Sequence, residues 1–414
     1  MQEFVNKQFF NLTLFMLIFG VLFYDTINTF GFSYIDEICA VLLFLLFAYK
    51  VFKSKTWEFN RMFLVTLCVF VFYLIYSLYI RSNTKGAILL DFGIQIKPYL
   101  GFFCVYALQP KLSDNQKKII RQVIILCSIY VILVGIGYHI YFDIIEYTFV
   151  HPSRLATAST VLAFLYLYCS DYTKNDKYIF ILLLSIGILS GRSKHYGFFA
   201  LCTLIILYFK DSFKMKLNLR NSIFLIIAIT AMIAVSYKKI YLYFVMGGFG
   251  SGRDVSDLYA RMALYYFSTI IIMDYIPFGS GFASYATYAS AEHYSSIYSK
   301  YGMDGMHGLS KASPDFIADT YYPALTQFGF AGVFLFFWFW THLSIRAFKA
   351  WGKGCQKESL MALMVILFFL IECTSDSTIT HNRGMFMMMM LGLFFSDIKT
   401  KTESFKENEN TVSQ

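Results

Sequence analysis

Segments of roughly 17 to 25 mostly apolar residues recur along this chain, each long enough to cross a hydrocarbon core of about 30 Å. Bounded by charges or turn residues, they fall near 9–27, 38–52, 62–80, 87–108, 119–140, 155–170, 178–191, 197–209, 222–237, 321–345, 359–375 and 384–397. A composition that is 57% hydrophobic and 20% aromatic agrees with that reading. In a bilayer every backbone N–H and C=O must be satisfied within its own segment, and these runs lack the period-2 alternation of barrel strands. The expectation is an all-α, polytopic integral membrane protein with about twelve transmembrane helices.

Lysine and arginine resist translocation, so the basic connectors set the orientation. Lys50, Lys53, Lys55 and Arg61 share one connector, and Lys111, Lys117, Lys118 and Arg121 another. Lys210, Lys214, Lys216 and Arg220 form a third, and Arg346, Lys349, Lys353 and Lys357 a fourth. All four fall on one side, expected to be the cytoplasm, together with both termini. They explain most of the +9 net charge without invoking nucleic acid. Residues 1–237 then hold helices one to nine, 238–320 a large loop on the outer (periplasmic) side, 321–398 helices ten to twelve, and 399–414 a polar cytoplasmic tail. After Lys7, the apolar run Phe9–Tyr24 leads into Asp25-Thr26-Ile27-Asn28 with no small-residue cleavage site, so the first span is expected to be a retained anchor.

None of the eight cysteines is expected in an outer loop where a disulfide would persist, and they read as packing residues. The chain has no phosphate loop, no H-E-x-x-H and no paired C-x-x-C, so neither a metal nor a nucleotide cofactor is expected. The glycine-rich run Gly247–Gly252 reads as a flexible turn. No internal repeat is visible, which counts against a transporter.

Chemistry is expected in the outer loop and the cations around it. Arg154 follows His151-Pro152-Ser153, Arg192 and Lys194 sit in a short turn, and Arg253 and Arg261 flank an aromatic segment. A charge near the bilayer boundary is costly unless paired or used; one by one these could be helix-end anchors, whereas together they suggest an anionic ligand from the outer leaflet. Arginine suits a lipid diphosphate, because its planar fork makes bidentate, charge-assisted hydrogen bonds. Asp91, Lys97 and Glu372 lie inside spans, and the expectation is that Asp91 pairs with Lys97. The segment from Leu258 to Ile276 reads as an interfacial helix ending at Pro277-Phe278-Gly279-Ser280-Gly281. Tyr285, Tyr288, Tyr294, Tyr298, Tyr301, Tyr321 and Tyr322 are either an aromatic belt or a platform for sugar rings. His307, Asp315 and Asp319 are candidate bases in the loop; His381, before Asn382-Arg383, is another contender, and His195 is placed with Arg192.

Four stretches resemble the bacterial O-antigen polymerase and O-antigen ligase superfamily of inner-membrane glycosyltransferases. Ile188-Leu189-Ser190-Gly191-Arg192-Ser193 looks like its serine-arginine turn, and Arg261 with Pro277–Gly281 looks like its arginine, helix and glycine-x-glycine pattern. Asp319 through Tyr322-Pro323-Ala324-Leu325 to Gly329-Phe330-Ala331-Gly332 is similar to its segment after the large loop, and His151–Arg154 is a weaker match. The ligase histidine has no counterpart at Ala318-Asp319, which favours polymerase over ligase.

The resemblance implies a GT-C-like enzyme of lipopolysaccharide or related polysaccharide biosynthesis. It would transfer a growing glycan from undecaprenyl diphosphate to the sugar hydroxyl of a second lipid-linked repeat unit, in the inner membrane and without metal or nucleotide. Donor and acceptor would both be undecaprenyl-diphosphate-linked oligosaccharides, with membrane lipids and a chain-length regulator protein as further partners. Arg192 and Arg261 would hold the diphosphate, with Arg154 and Arg253 as second candidates. Lys194, Arg383, Tyr285, Tyr321 and Tyr322 would contact diphosphate or glycan, and Asp319 or His307 would act on the acceptor hydroxyl. The rival expectations are a ligase that moves the glycan to lipid A core and a transporter of the same lipid-linked sugar.

Overall fold

The computed structural model describes residues 1–28, 34–54, 61–208, 259–351 and 353–412, with the single positions 31, 230, 237 and 241. Apart from two positions, the predicted span near 222–237 lies outside the described residues, as do Gly247–Gly252 and Arg253.

Helices account for the architecture, and no strand occurs among the described residues. In chain order they are α1 (Gln2–Phe15, continued by a π-helical stretch Met16–Leu22), α2 (Tyr24–Asn28), α3 (Ile35–Lys53), α4 (Arg61–Ile80) and α5 (Lys85–Leu108). Then come α6 (Asp114–Ile140), α7 (Ile144–Thr148), α8 (Pro152–Cys169), α9 (Lys174–Ser185, continued as a 3-10 turn Ile186–Ser190) and α10 (Ser193–Tyr208). After the undescribed stretch follow α11 (Ala260–Asp274), α12 (Tyr288–Glu292), α13 (Ser296–Lys300), α14 (Tyr321–Ala324, with a 3-10 turn Leu325–Phe328) and α15 (Gly329–Trp351). The last two are α16 (Gln356–Glu372) and α17 (Asn382–Val412).

Among the described residues, five helical stretches are long and apolar enough to cross a membrane: Gln2–Leu22, Arg61–Ile80, Lys85–Leu108, Asp114–Ile140 and Tyr321–Trp351. The other described runs also form helices. Those are shorter, as with the 12, 16 and 17 residues of α9, α10 and α16, or carry charges at their ends. α8 shows why hydropathy alone understates them. Every residue in it except Arg154 is buried, so its small and hydroxylated side chains serve helix packing rather than lipid contact.

Close approach of backbones holds the centre together. α5 and α17 run side by side in parallel, and a Cβ on Gly392 would lie 2.4 Å from the Phe102 carbonyl oxygen. Glycine is therefore required at that crossing. At one end of the bundle Lys50 Nζ donates to the Ala107 and Leu108 carbonyls at 3.1 and 2.7 Å, and Gln2 reaches Leu108 and Gln109. Two basic connectors thus meet there, as their sequence pattern predicts.

The described part of the large loop builds a second core. Leu264, Phe267 and Ile271 of α11 pack with Tyr285, Tyr298 and Met303, so α11 turns its apolar face into this unit rather than leaving it free for the bilayer interface. The unit is fastened to the α4–α5 turn. Ser77 Oγ accepts the Phe282 N–H at 2.8 Å, Ser82 Oγ donates to the Phe282 carbonyl at 2.7 Å, and Asn83 donates to the Ala283 and His293 carbonyls at 2.8 Å. Two glycine patterns close the joint to α15. Gly279 and Gly329, both with positive φ, lie backbone to backbone, and the Gly281 N–H donates to the Gln327 carbonyl at 2.9 Å.

Candidate functional site

At the opposite end from Lys50 and Leu108, charged groups from α2, α8, α10, α16, α17 and their connectors gather in one place. His151 caps α8 and Pro152 occupies its first position, where a missing N–H costs nothing, so Arg154 emerges from the first turn. Arg154 and Arg383 both bind Asp25, one on each carboxylate oxygen; the Arg383 contact is 2.7 Å long. Asp25 and Arg383 are each 2% exposed, whereas about a third of the Arg154 side chain reaches solvent.

The 3-10 turn before α10 ends at Gly191, whose φ of +66° reverses the chain and projects Arg192 and Lys194. Lys194 Nζ lies 2.6 Å from Glu372 and 3.2 Å from Asp376. Although burial alone would raise it, Asp376 is held well below the usual carboxylate range, by Lys194 above all. Arg192 meets no carboxylate among the described residues. Its guanidinium donates to Nε2 of His151, and Nδ1 of the same ring faces Ser153 Oγ at 2.6 Å. A ring that accepts from a guanidinium is neutral. Partial burial of the imidazole, then the adjacent Arg192, push His151 down to about 4.

A second ion pair stands at the base of the large loop. Arg261, in the first turn of α11, binds Asp319 across 58 residues of sequence. Burial outweighs the arginine and raises the Asp319 carboxyl above its ordinary value, which makes it a better proton acceptor near neutral pH. Ser377 Oγ donates to the Ala318 carbonyl at 2.7 Å, so Asp319 lies beside the connector that carries Asp376, and the two ion-pair groups adjoin. Five of the predicted cations, Arg154, Arg192, Lys194, Arg261 and Arg383, are therefore brought together.

Other expectations are corrected. Lys97 pairs with Glu37 at 2.7 Å and with Asp36, not with Asp91, because a six-residue offset puts the two on different faces of α5. Asp91 instead accepts the Ala283 N–H at 2.7 Å and so anchors the loop. Tyr285 is fully buried with its hydroxyl on the Leu264 carbonyl, and Tyr298 is equally buried; neither offers a ring face to a sugar. Tyr321 is buried against Gln95, and Tyr322 donates to the Leu370 carbonyl at 2.8 Å. Arg383 is closed behind Asp25 and holds that carboxylate in place rather than facing a ligand. His195 turns away from Arg192 to the Leu184 carbonyl at 3.1 Å. His307 is exposed beside Phe316, and no hydrogen bond or ion pair joins it to the charged cluster among the described residues. The partnerships of Asp25 and Asp376 and the acceptor role of His151 were not legible in the sequence, where Asp25 falls at the end of the first apolar run and the other two in connectors. No cluster of three or more His, Cys, Asp or Glu side chains suited to a metal occurs among the described residues. Compared with known proteins, the chain matches no family model and no curated protein, so the meaning of this site rests on its own geometry.

Proposed function

We propose that the chain polymerises undecaprenyl-diphosphate-linked oligosaccharide repeat units into a surface polysaccharide at the periplasmic face of a bacterial inner membrane. The observation that carries this reading is Arg192, a cation that meets no carboxylate among the described residues, set on a neutral imidazole with Arg154 and Lys194 close by. A guanidinium so placed has hydrogen bonds to give to an incoming dianion. The supporting picture is a protein of about twelve spans with cytoplasmic termini and residues 238–320 outside.

In the reaction the acceptor hydroxyl oxygen bonds to the anomeric carbon of the donor while the bond from that carbon to the diphosphate oxygen breaks. The electron pair leaves with the diphosphate, and Arg192 and Arg261 bind its growing charge more tightly than the ground state. The hydroxyl proton passes to Asp319. Attack opposite the leaving group inverts the anomeric configuration. No nucleotide is consumed, since the lipid diphosphate is already an activated leaving group.

The test is a gel assay of purified protein in lipid with lipid-linked repeat units from its own host, without nucleotide. A ladder of lengthened glycans that disappears in Arg192→Ala and Arg261→Ala is the expected result. Normal ladders in both variants would sink the diphosphate assignment. If only added lipid A core is glycosylated, the polymerase reading gives way to a ligase.

A further inference from the structure

An apolar cavity lies between α4, α5 and the α14–α15 segment, and none of the clustered charged residues lines it. All three walls belong to stretches of membrane-spanning length. α4 buries little of itself, and its outward residues Leu64, Val65, Phe72 and Ile75 are apolar, so the mouth opens sideways toward hydrocarbon rather than toward water. Rings make up much of the wall, among them Phe70, Phe328, Phe336 and Trp338.

Four polar side chains in the wall, Thr66, Tyr73, Gln95 and Tyr321, are engaged by the protein. Tyr321 donates to Gln95 at 3.1 Å, Tyr73 to the Phe328 carbonyl at 2.6 Å, and Thr66 to the Met62 carbonyl at 2.9 Å. Gln95 in turn reaches Asp91 at 3.4 Å. A polar ligand would have to break these bonds to be solvated there, whereas a hydrocarbon chain asks for none of them. One wall also leads to the charged site. Tyr321 is two residues beyond Asp319, so chain geometry keeps their Cα atoms within about 7.6 Å.

We propose that this cavity holds the headgroup-proximal isoprene units of the polyprenyl diphosphate's tail, entering from the bilayer beside Thr66 and Trp338, with the diphosphate at Arg261 and Arg192. The choice of an isoprenoid over a phospholipid acyl chain rests on the proposed function; the cavity's fitness for a hydrocarbon chain does not.

The test uses a photoreactive polyprenol lacking any phosphate, with the full chain in phosphatidylglycerol vesicles and adducts mapped by peptide mass spectrometry. Adducts are expected on residues 62–73 and 335–339, reduced about tenfold in Thr66→Trp and unchanged in Arg192→Ala. Should Thr66→Trp unfold, Leu335→Trp fills the same space from the opposite wall. Labelling of outward α6 residues such as Leu133 as strong as that of the cavity would mean annular lipid only and overturn the proposal. So would equal labelling of the cavity by a photoreactive phospholipid carried in the same vesicles. Cavity labelling together with a failed glycan ladder retains the tail site and removes the polymerase; a ladder without cavity labelling does the reverse.

Discussion

Two arginine sites at the end of the bundle opposite Lys50 and Leu108 share a carboxylate-rich neighbourhood and differ in what faces them. Arg383 is buried, and with Arg154 it saturates both oxygens of Asp25; Arg192 stands half-exposed against a neutral histidine. In the first arrangement the buried Arg383–Asp25 pair neutralises itself at its own desolvation cost, and the net positive charge that remains belongs to the part-exposed Arg154. The second leaves charge on offer. An arginine at the end of a helix bundle is thus not itself a sign of substrate binding; its partner decides.

Breaking the closed site should have the largest effect. Asp25→Ala leaves the buried Arg383 guanidinium without its counter-charge and is expected to cost about 3–5 kcal/mol, read as a large drop in thermal stability in detergent. Unchanged stability would show that Asp25 does not hold this end together. Next comes the open site, where Arg192→Ala should leave stability within about 0.5 kcal/mol of the parent. Glycan elongation in that variant should fall by about 10²–10³, the usual effect of removing one charge-stabilising donor. Arg192→Lys should recover little, because a point charge cannot make the forked contact; full recovery would reduce the site to simple charge.

A subtler probe is Asp319→Asn, which keeps a hydrogen bond to Arg261 but cannot take a proton. A fall in kcat with KM held is expected, and an equal rate would remove Asp319 from the chemistry. The smallest effect concerns His151. Its folded pKa lies below its unfolded value, so its contribution to stability is complete above about 6.5 and is lost as pH falls toward about 4, where the unfolded chain takes up a proton that the folded one refuses. His151→Gln should flatten stability across that window, and persistence of the slope would assign it to other groups.

Periodicity and length made the helices legible. The bounds of α4, α5 and α6 follow the apolar runs to within a few residues, because hydrocarbon length and backbone satisfaction are local constraints. The short turn projecting Arg192 was readable for the same reason, as Gly191 and its neighbours are contiguous. Among the described residues, the grouping of Arg154, Arg192, Lys194 and Arg383 at one end could also be anticipated, since helix topology puts alternate connectors at the same end. The tyrosines were less tractable. Tyr285 and Tyr288 lie three residues apart, yet one is fully buried and the other more than half exposed. Nothing in their spacing says which side of a small core each will face. The glycine patterns at Gly279 and Gly329 were visible, but not that each is the other's packing partner.

By itself the sequence determined the all-α class, the membrane-length helices and the basic connectors that meet beside Leu108, all of which depend on residues near one another in the chain. Only the tertiary structure decided which carboxylate neutralises which cation. Asp25 reaches Arg154 and Arg383 across 129 and 358 residues, and Lys194 finds Asp376 across 182. Ion pairing in a low-dielectric interior depends on distance through space, and a list of residues does not contain that distance until the helices have packed.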